Sequence, residues 1–410
     1  MPEPGLLDRA ARENSGRIIA ALAASFRDLD LAEEAFAEAC ARAAAVWPSR
    51  PPTDPAAWLY ATARRAALDA VRRRGVRQRH APEPPDLPPS VEEAMTSDEA
   101  LIPDERLRLI FVCCHPVVPV EARAPLTLRL VCGLSVREIA RAFLVAEPAM
   151  FQRLTRAKRR IAQSGEPFEI PGPEAWGERV SAVLSTLEVA YGKAHEDAAG
   201  AGAHASFARE MLDLTAVLVA LLPDEPEGLA FASLVRYAEA RRPARLDETG
   251  AMVPLSEQDP DLWRRPLIAE AERLLRRAAD LGRPGPRQLH AAIHAVWCGR
   301  KCLAEPPRWG AVLALYDALL VWRDDAVVRL NRAVALAEVA GPQAALAQVE
   351  GLEPAGLTGF APFHAVRADL LARLGRTGEA HAAYDCALAL DPGPAERMWL
   401  ERQRTSLATD

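Results

Sequence analysis

The segment LSVREIARAFLVAEPAMFQRLTRAKRRI, Leu134–Ile161, constrains the fold of this chain more than any other. Ser135 with Glu138 three residues on makes a capping box, in which a hydroxyl and a carboxylate satisfy the free N–H groups of a helix start. The helix that opens there is predicted to close at about Phe143. After the turn Leu144–Glu147 a second helix opens with Pro148 in its first turn, where the missing N–H costs nothing. Two short helices joined by a tight turn are a helix-turn-helix. In the second helix Met150, Leu154, Ala157 and Ile161 form one apolar stripe at helical spacing. Gln152, Arg153, Arg156 and Arg159 must then face outward. Arg and Gln can bond bidentately to guanine and adenine edges in a major groove, whereas Lys158 and Arg160 suit phosphates.

The rest of the chain is consistent with an all-α protein. Half of its residues are apolar but only 6% are aromatic, the apolar majority being Ala and Leu, a mixture that favours helices. At 410 residues it exceeds what one core serves, so two or three domains are expected. Three stretches break the helical pattern: 81–90 (APEPPDLPPS), 164–173 (SGEPFEIPGP) and the turn-rich 242–260. The reading is a helical domain over 1–80, a linker over 81–103, a helix-turn-helix domain over 104–164 and a helical extension over 165–410. In the first domain Leu22, Phe26, Leu29, Leu31, Ala35, Phe36, Ala39 and Val46 recur at helical spacing. A second helix there is predicted from about Pro55 to Arg74, with Asp54 as its cap and Trp58, Leu59, Thr62, Ala63, Ala66 and Val71 along it.

The net charge of −6 hides two basic segments. Arg64, Arg65, Arg72, Arg73, Arg74, Arg77 and Arg79 stand against the single acid Asp69, and Arg153, Arg156, Lys158, Arg159 and Arg160 stand against none. With 47 arginines and three lysines some clustering is compositional, but the second cluster follows a helix-turn-helix in the correct phase. The seven scattered cysteines imply no disulfide framework and read as reduced thiols in a cytoplasmic protein. Cys113–Cys114–His115 and the pair Cys298 and Cys302 lack partners at finger spacing, so no metal site is expected. No signal segment is expected, and the longest clean apolar run, Ala216–Leu222, is far below the roughly 20 residues that span a bilayer. Asp247, Glu257, Asp259 and Asp261 have no histidine or nucleophile beside them in sequence, so they read as turn and cap residues, and neither catalysis nor a cofactor is expected. Near the end Gly341 and Gly375 stand 34 residues apart, aligning Ala337 with Leu371, Val334 with Ala368 and Leu346 with Ala380. That is the tetratricopeptide (TPR) period, here a degenerate helical-hairpin array.

Three segments in order carry a family resemblance. DLDLAEEAFAEACARAAAVWP resembles the region-2 core-binding helix of the extracytoplasmic-function (ECF) sigma factors of the sigma-70 family. DPAAWLYATARRAALDAVRRRG resembles their −10-reading helix, and the Leu134–Ile161 segment their region-4 helix-turn-helix. FVCCHP, LLPDEPEGLA, ARRPARLDETG and the TPR-like end resemble the subgroup with a helical C-terminal extension, so the resemblance covers nearly the whole chain. It implies a non-catalytic subunit that directs core RNA polymerase to promoters. Asp30, Glu33, Glu34 and Glu38 would dock on the β′ clamp, and region 4 on the β flap. Trp58, Arg64, Arg65, Asp69, Arg72 and Arg73, with the loop Pro48–Asp54, would hold the −10 element, where Trp47 and Trp58 offer stacking. Gln152, Arg153, Arg156 and Arg159 would read the −35 element. The extension would be regulatory, contacting the sigma module or the polymerase. Two other readings compete with this: a dimeric DNA-binding regulator on a palindromic operator, and a TPR scaffold or enzyme in 165–410.

Overall fold

The computed structural model describes residues 5–77, 105–143, 145–165, 176–197, 205–352 and 357–407. The linker expected over 81–103 and Arg79 lie outside them, as does most of the break at 164–173. The described residues form eighteen α-helices and a few 3₁₀ turns. They contain no strand, only an isolated bridge between Leu246 and Met252. The chain makes two compact units, Met1–Ala194 and His195–Asp410.

The first unit opens with α1 (Leu6–Phe26), α2 (Leu29–Val46) and α3 (Pro55–Arg77). The single periodic run expected from Leu22 to Val46 is thus two helices. Arg27 adopts the left-handed conformation, φ 54°, and closes α1, and the Asp28 side chain then accepts from the Leu31 N–H at 2.9 Å to start α2. Asp54 caps α3 as expected, accepting from the Ala57 N–H at 3.0 Å. Leu59, Ala63, Ala66 and Ala67 are buried on α3, and the small side chains let α1 and α2 approach closely. Val46 and Val71 are exposed instead, so the apolar periodicity overstated the core at both helix ends.

Four further helices carry the helix-turn-helix: α4 (Arg106–Cys113), α5 (Val120–Leu130), α6 (Val136–Ala142) and α7 (Glu147–Ser164). The capping box at α6 forms completely. Glu138 accepts from the Ser135 N–H at 2.8 Å and from its hydroxyl at 2.6 Å, while the Ser135 hydroxyl accepts from the Glu138 N–H at 3.2 Å. A further helix, α8 (Trp176–Asp197), buries Val180, Val183, Leu184, Leu187, Ala190 and Tyr191. The Cys114 thiol bonds the Thr186 hydroxyl at 3.3 Å and Arg179 donates to the Phe111 carbonyl at 3.0 Å, tying α8 to α4. The helical unit therefore continues past the break at 164–173 to Ala194, beyond the boundary expected at 165.

The second unit is built around α10 (Pro226–Arg241), every turn of which is buried, packed against α9 (Ala205–Leu221), α11 (Arg265–Asp280) and α12 (Pro286–Cys298). The buried Arg236 is neutralised by Glu270 at 2.9 Å and bonds the Thr215 hydroxyl at 3.1 Å. Glu227 caps α12 by accepting from the Arg287 and Gln288 N–H groups at 3.0 and 3.3 Å. Beyond lie α13 (Trp309–Trp322), α14 (Ala326–Ala340), α15 (Pro342–Glu350), α16 (Ala361–Arg373), α17 (Thr377–Ala389) and α18 (Pro394–Ser406), each packed on its sequence neighbour. Gly341 and Gly375 both have positive φ, 90° and 71°, in the turns between helices. The 34-residue register keeps Ala337 with Leu371 and Leu346 with Ala380 in one core, but Val334 is exposed where Ala368 is buried.

Candidate nucleic-acid interface

The second helix of the helix-turn-helix, α7, divides by face as its sequence predicts. Met150, Leu154, Ala157 and Ile161 are buried, and Gln152, Arg156, Arg159 and Arg160 are exposed. Arg153 is half-buried at the edge of the apolar stripe. Two residues that the sequence reading passed over share the outer surface: Phe151, 60% exposed, and Thr155, whose hydroxyl donates to the Phe151 carbonyl. Phe151 was legible as an apolar residue one step off the stripe. Lys158 departs from the expectation that it serves phosphates. Its side chain is 17% exposed and its ammonium donates to Asp30 and, at 2.8 Å, to Glu33 of α2. Burial works to lower its pKa, but the bonds to the two carboxylates outweigh that and hold it above the ordinary lysine value.

On α3, Trp58, Arg65, Asp69 and Arg72 are spaced by seven, four and three residues and so share one face. Arg65, Asp69, Arg72 and Arg73 are exposed, and Arg73 turns its Nε toward the Asp69 carbonyl at 3.3 Å. Arg64 is half-buried on a different flank, beside Tyr60. The two tryptophans are not equivalent. Trp47 is buried, so it is unavailable for stacking, and it meets the half-buried Trp58 edge-on with ring centroids 5.5 Å apart. The acids of α2 differ likewise. Glu34 is 72% exposed with Arg74 at 4.0 Å, and Glu38 pairs with Arg42 one turn on. Glu33 is only 13% exposed, because Arg129 reaches its other oxygen at 2.9 Å.

Among the described residues no group of three or more His, Cys, Asp or Glu side chains is placed to hold a metal ion. Cys113 and Cys114 are buried thiols; burial pushes Cys114 up to about 11 and Cys113 well above the ordinary range. Cys298 and Cys302 do not share a helix face: α12 ends at Cys298, which is buried, and Cys302 is exposed beyond it. Two of the acids of 242–260, Asp247 and Asp259, cap turns. Asp247 accepts from the Thr249 hydroxyl at 2.6 Å, pairs with Arg402 at 2.6 Å and accepts from the Thr249 and Ala251 N–H groups at 2.9 and 3.0 Å, bonds that together, the hydroxyl's first, hold its carboxyl below the usual range. Asp259 accepts from the Asp261 N–H at 3.0 Å. No helix among the described residues is long and apolar enough to cross a membrane.

Fold and surface define a helix-turn-helix protein with a second arginine-lined helix in the same compact unit. Comparison with known families gives it a place. The family model of sigma-70 region 2 matches residues 11–77, that of sigma-70 region 4 matches 108–161, and a family of unknown function matches 179–279. An uncharacterized protein of Rhizobium meliloti (strain 1021) is 41% identical over the whole of this chain and 98% of its own length. No solved structure matches significantly. The chain belongs to the sigma-70 family and carries a helical C-terminal extension. Its regions 2 and 4 are those of a sigma factor for promoter-specific transcription.

Proposed function

We propose that the chain is an ECF-type sigma factor that binds core RNA polymerase in the cytoplasm, reads −10 DNA with α3 and −35 DNA with α7, and performs no catalysis itself. The observation that carries this reading is the two-faced α7, with a buried apolar stripe and an outer surface of Gln152, Arg156 and Arg159. Side chains of these types reach base edges bidentately. For the −10 element the supporting feature is the face holding Trp58, Arg65, Asp69 and Arg72, where arginines meet phosphates and the half-buried indole offers an edge to an unstacked base. Arg64, Arg73 and Arg153 serve from the flanks.

Asp30, Glu33, Glu34 and Glu38 supply an acidic surface for the β′ clamp, complementary to a basic partner. For the β flap the candidate is an open, largely apolar groove of about 660 Å3 between α5, α6 and α8, lined by Val120, Phe143 and Val189 among others. Val120 is 74% exposed there. The TPR-like extension is regulatory in this reading, acting on the sigma module or on the polymerase, because helical-hairpin arrays bind partners along their surfaces and covalent linkage keeps them at high local concentration.

Run-off transcription with purified core polymerase tests the reading. The full chain should confer initiation at discrete promoters in a genomic fragment library. A chain that fails to bind core, or that protects a palindromic operator without it, would refute the assignment.

A further inference from the structure

We infer that the outer face of α11, in the C-terminal extension, is a second DNA-contacting surface, one that grips the phosphate backbone of duplex DNA without reading its sequence. The inference goes beyond the function proposed above and takes from it only that the chain works on DNA. From 264 to 283 the exposed charged side chains are six arginines, Arg264, Arg265, Arg273, Arg276, Arg277 and Arg283, against two acids, Glu272 and Asp280. A chain of net charge −6 thus reverses its sign locally. Glu270, the third acid of the helix, is held by the buried Arg236 at 2.9 Å.

Spacing builds this face. Ile268, Ala271 and Ala278 bury one side of α11, and the arginines at 273, 276 and 277, three and four residues apart, fall on the other. Many arginines elsewhere in this unit are matched to carboxylates: Arg287 to Glu227, Arg329 to Asp324, Arg332 to Asp317, Arg376 to Glu379 and Arg404 to Asp385. The six of 264–283 meet no carboxylate of the described residues within 4.0 Å. Three of them are steadied instead by main-chain carbonyls, Arg265 by Pro260 at 3.2 Å, Arg276 by Glu272 at 3.4 Å and Arg283 by Asp224. A guanidinium carries five N–H donors, so each keeps donors for a ligand after that bond is made.

The chemistry of the face selects a polyanion. A protein-binding patch centres on a desolvated aromatic or apolar anchor, and α11 exposes no large apolar side chain. Its apolar side is spent in the core beside Tyr237 and Trp263, so it has none to lay into a membrane surface. Phosphates suit planar guanidinium groups, which bind them bidentately. Arg265 and Arg277 stand about 18 Å apart along the helix axis, the length of about five duplex steps of roughly 3.4 Å. Cations spread over that length meet successive phosphates, contacts that position a protein on DNA and carry no sequence information. Covalent linkage to the helix-turn-helix lets even weak contacts of this kind count.

Salt-titrated binding of a promoter fragment by the full-length chain in holoenzyme tests this, with Arg273→Gln, Arg276→Gln and Arg277→Gln combined in one variant. Counterion release makes log affinity fall against log salt by about 0.9 per phosphate contact. The triple variant should give a slope shallower by about 1.8 to 2.7, so that between about 50 and about 200 mM salt the parent loses on the order of tenfold to fortyfold more affinity than the variant. The change should be the same on the promoter and on duplex with scrambled −35 and −10 elements. Arg329→Gln with Arg376→Gln, which removes arginines already paired, should keep the parental slope. Arg277→Gln alone should move the slope by about 0.9, which keeps the test open if the triple variant misfolds. A parental slope in both α11 variants overturns the inference. So does weakened binding to core polymerase with DNA binding intact, which would assign the face to an acidic protein partner. The free chain on scrambled duplex should show the same change of slope, so the inference is judged separately even if no form binds core, the result that would sink the sigma-factor reading.

Discussion

Cys113 and Cys114 close α4 with their thiols buried, and their hydrogen-bond partners are hydroxyls: Thr127 for Cys113, Thr186 and Thr127 for Cys114. Burial raises Cys114 from an ordinary 9.0 to about 11 and does the same for Cys298. The sign of the consequence follows from proton linkage. Above about pH 9 the unfolded chain gives up protons that the folded chain keeps, so stability should fall as pH rises between about 9 and about 11. Native alkylation at pH 8 should modify the exposed Cys302 and Cys386 while Cys113, Cys114 and Cys298 stay protected until the chain unfolds. Rapid native labelling of Cys114 would contradict this account. Spacing alone does not separate these cysteines, because exposure of Cys302 beyond the end of α12, or of Cys386 on α17, depends on where neighbouring elements pack.

At the scale of the element, α7 shows what periodicity determines. Its stripe of Met150, Leu154, Ala157 and Ile161 is buried as the spacing requires, and the cap at Ser135 is satisfied by the residue three positions on. Both are local facts, since a helix places residues three and four apart on one face. The two faces should separate in mutants. Met150→Ala should cost about 2–4 kcal/mol in denaturant unfolding. Arg156→Ala should leave stability within about 0.5 kcal/mol while weakening binding of holoenzyme to promoter DNA roughly tenfold or more, a loss that should vanish on −35 variants in which the contacted base pair is already changed. Equal losses of stability in both mutants would place Arg156 in the core. Periodicity misled where one run of apolar positions passed through Arg27 and Asp28. A left-handed residue followed by a capping carboxylate breaks a helix without interrupting the pattern.

For the whole molecule, the placement of α8 is the largest revision to the reading. The Pro- and Gly-rich break at 164–173 suggested that the DNA-binding part ends there. Yet Val183, Leu184 and Leu187 are buried, and Thr186 and Arg179 bond to α4. A chain ending at Ala194 should therefore unfold cooperatively with high helicity, whereas one ending at Ser164 should melt at lower temperature and expose the apolar surface that α8 covers. Equal melting temperatures would return the boundary to the break. By itself the sequence determined the all-α class, the helix-turn-helix, the division of α7 into faces, and the arginines of α3, because each depends on spacing within one helix or on a cap three residues away. Only the tertiary structure decided that Lys158 meets α2 rather than solvent, that Glu33 is shared between two cations and that Trp47 is buried. The two contacts of Glu33 join residues 96 and 125 positions apart, and no local periodicity carries information over such distances.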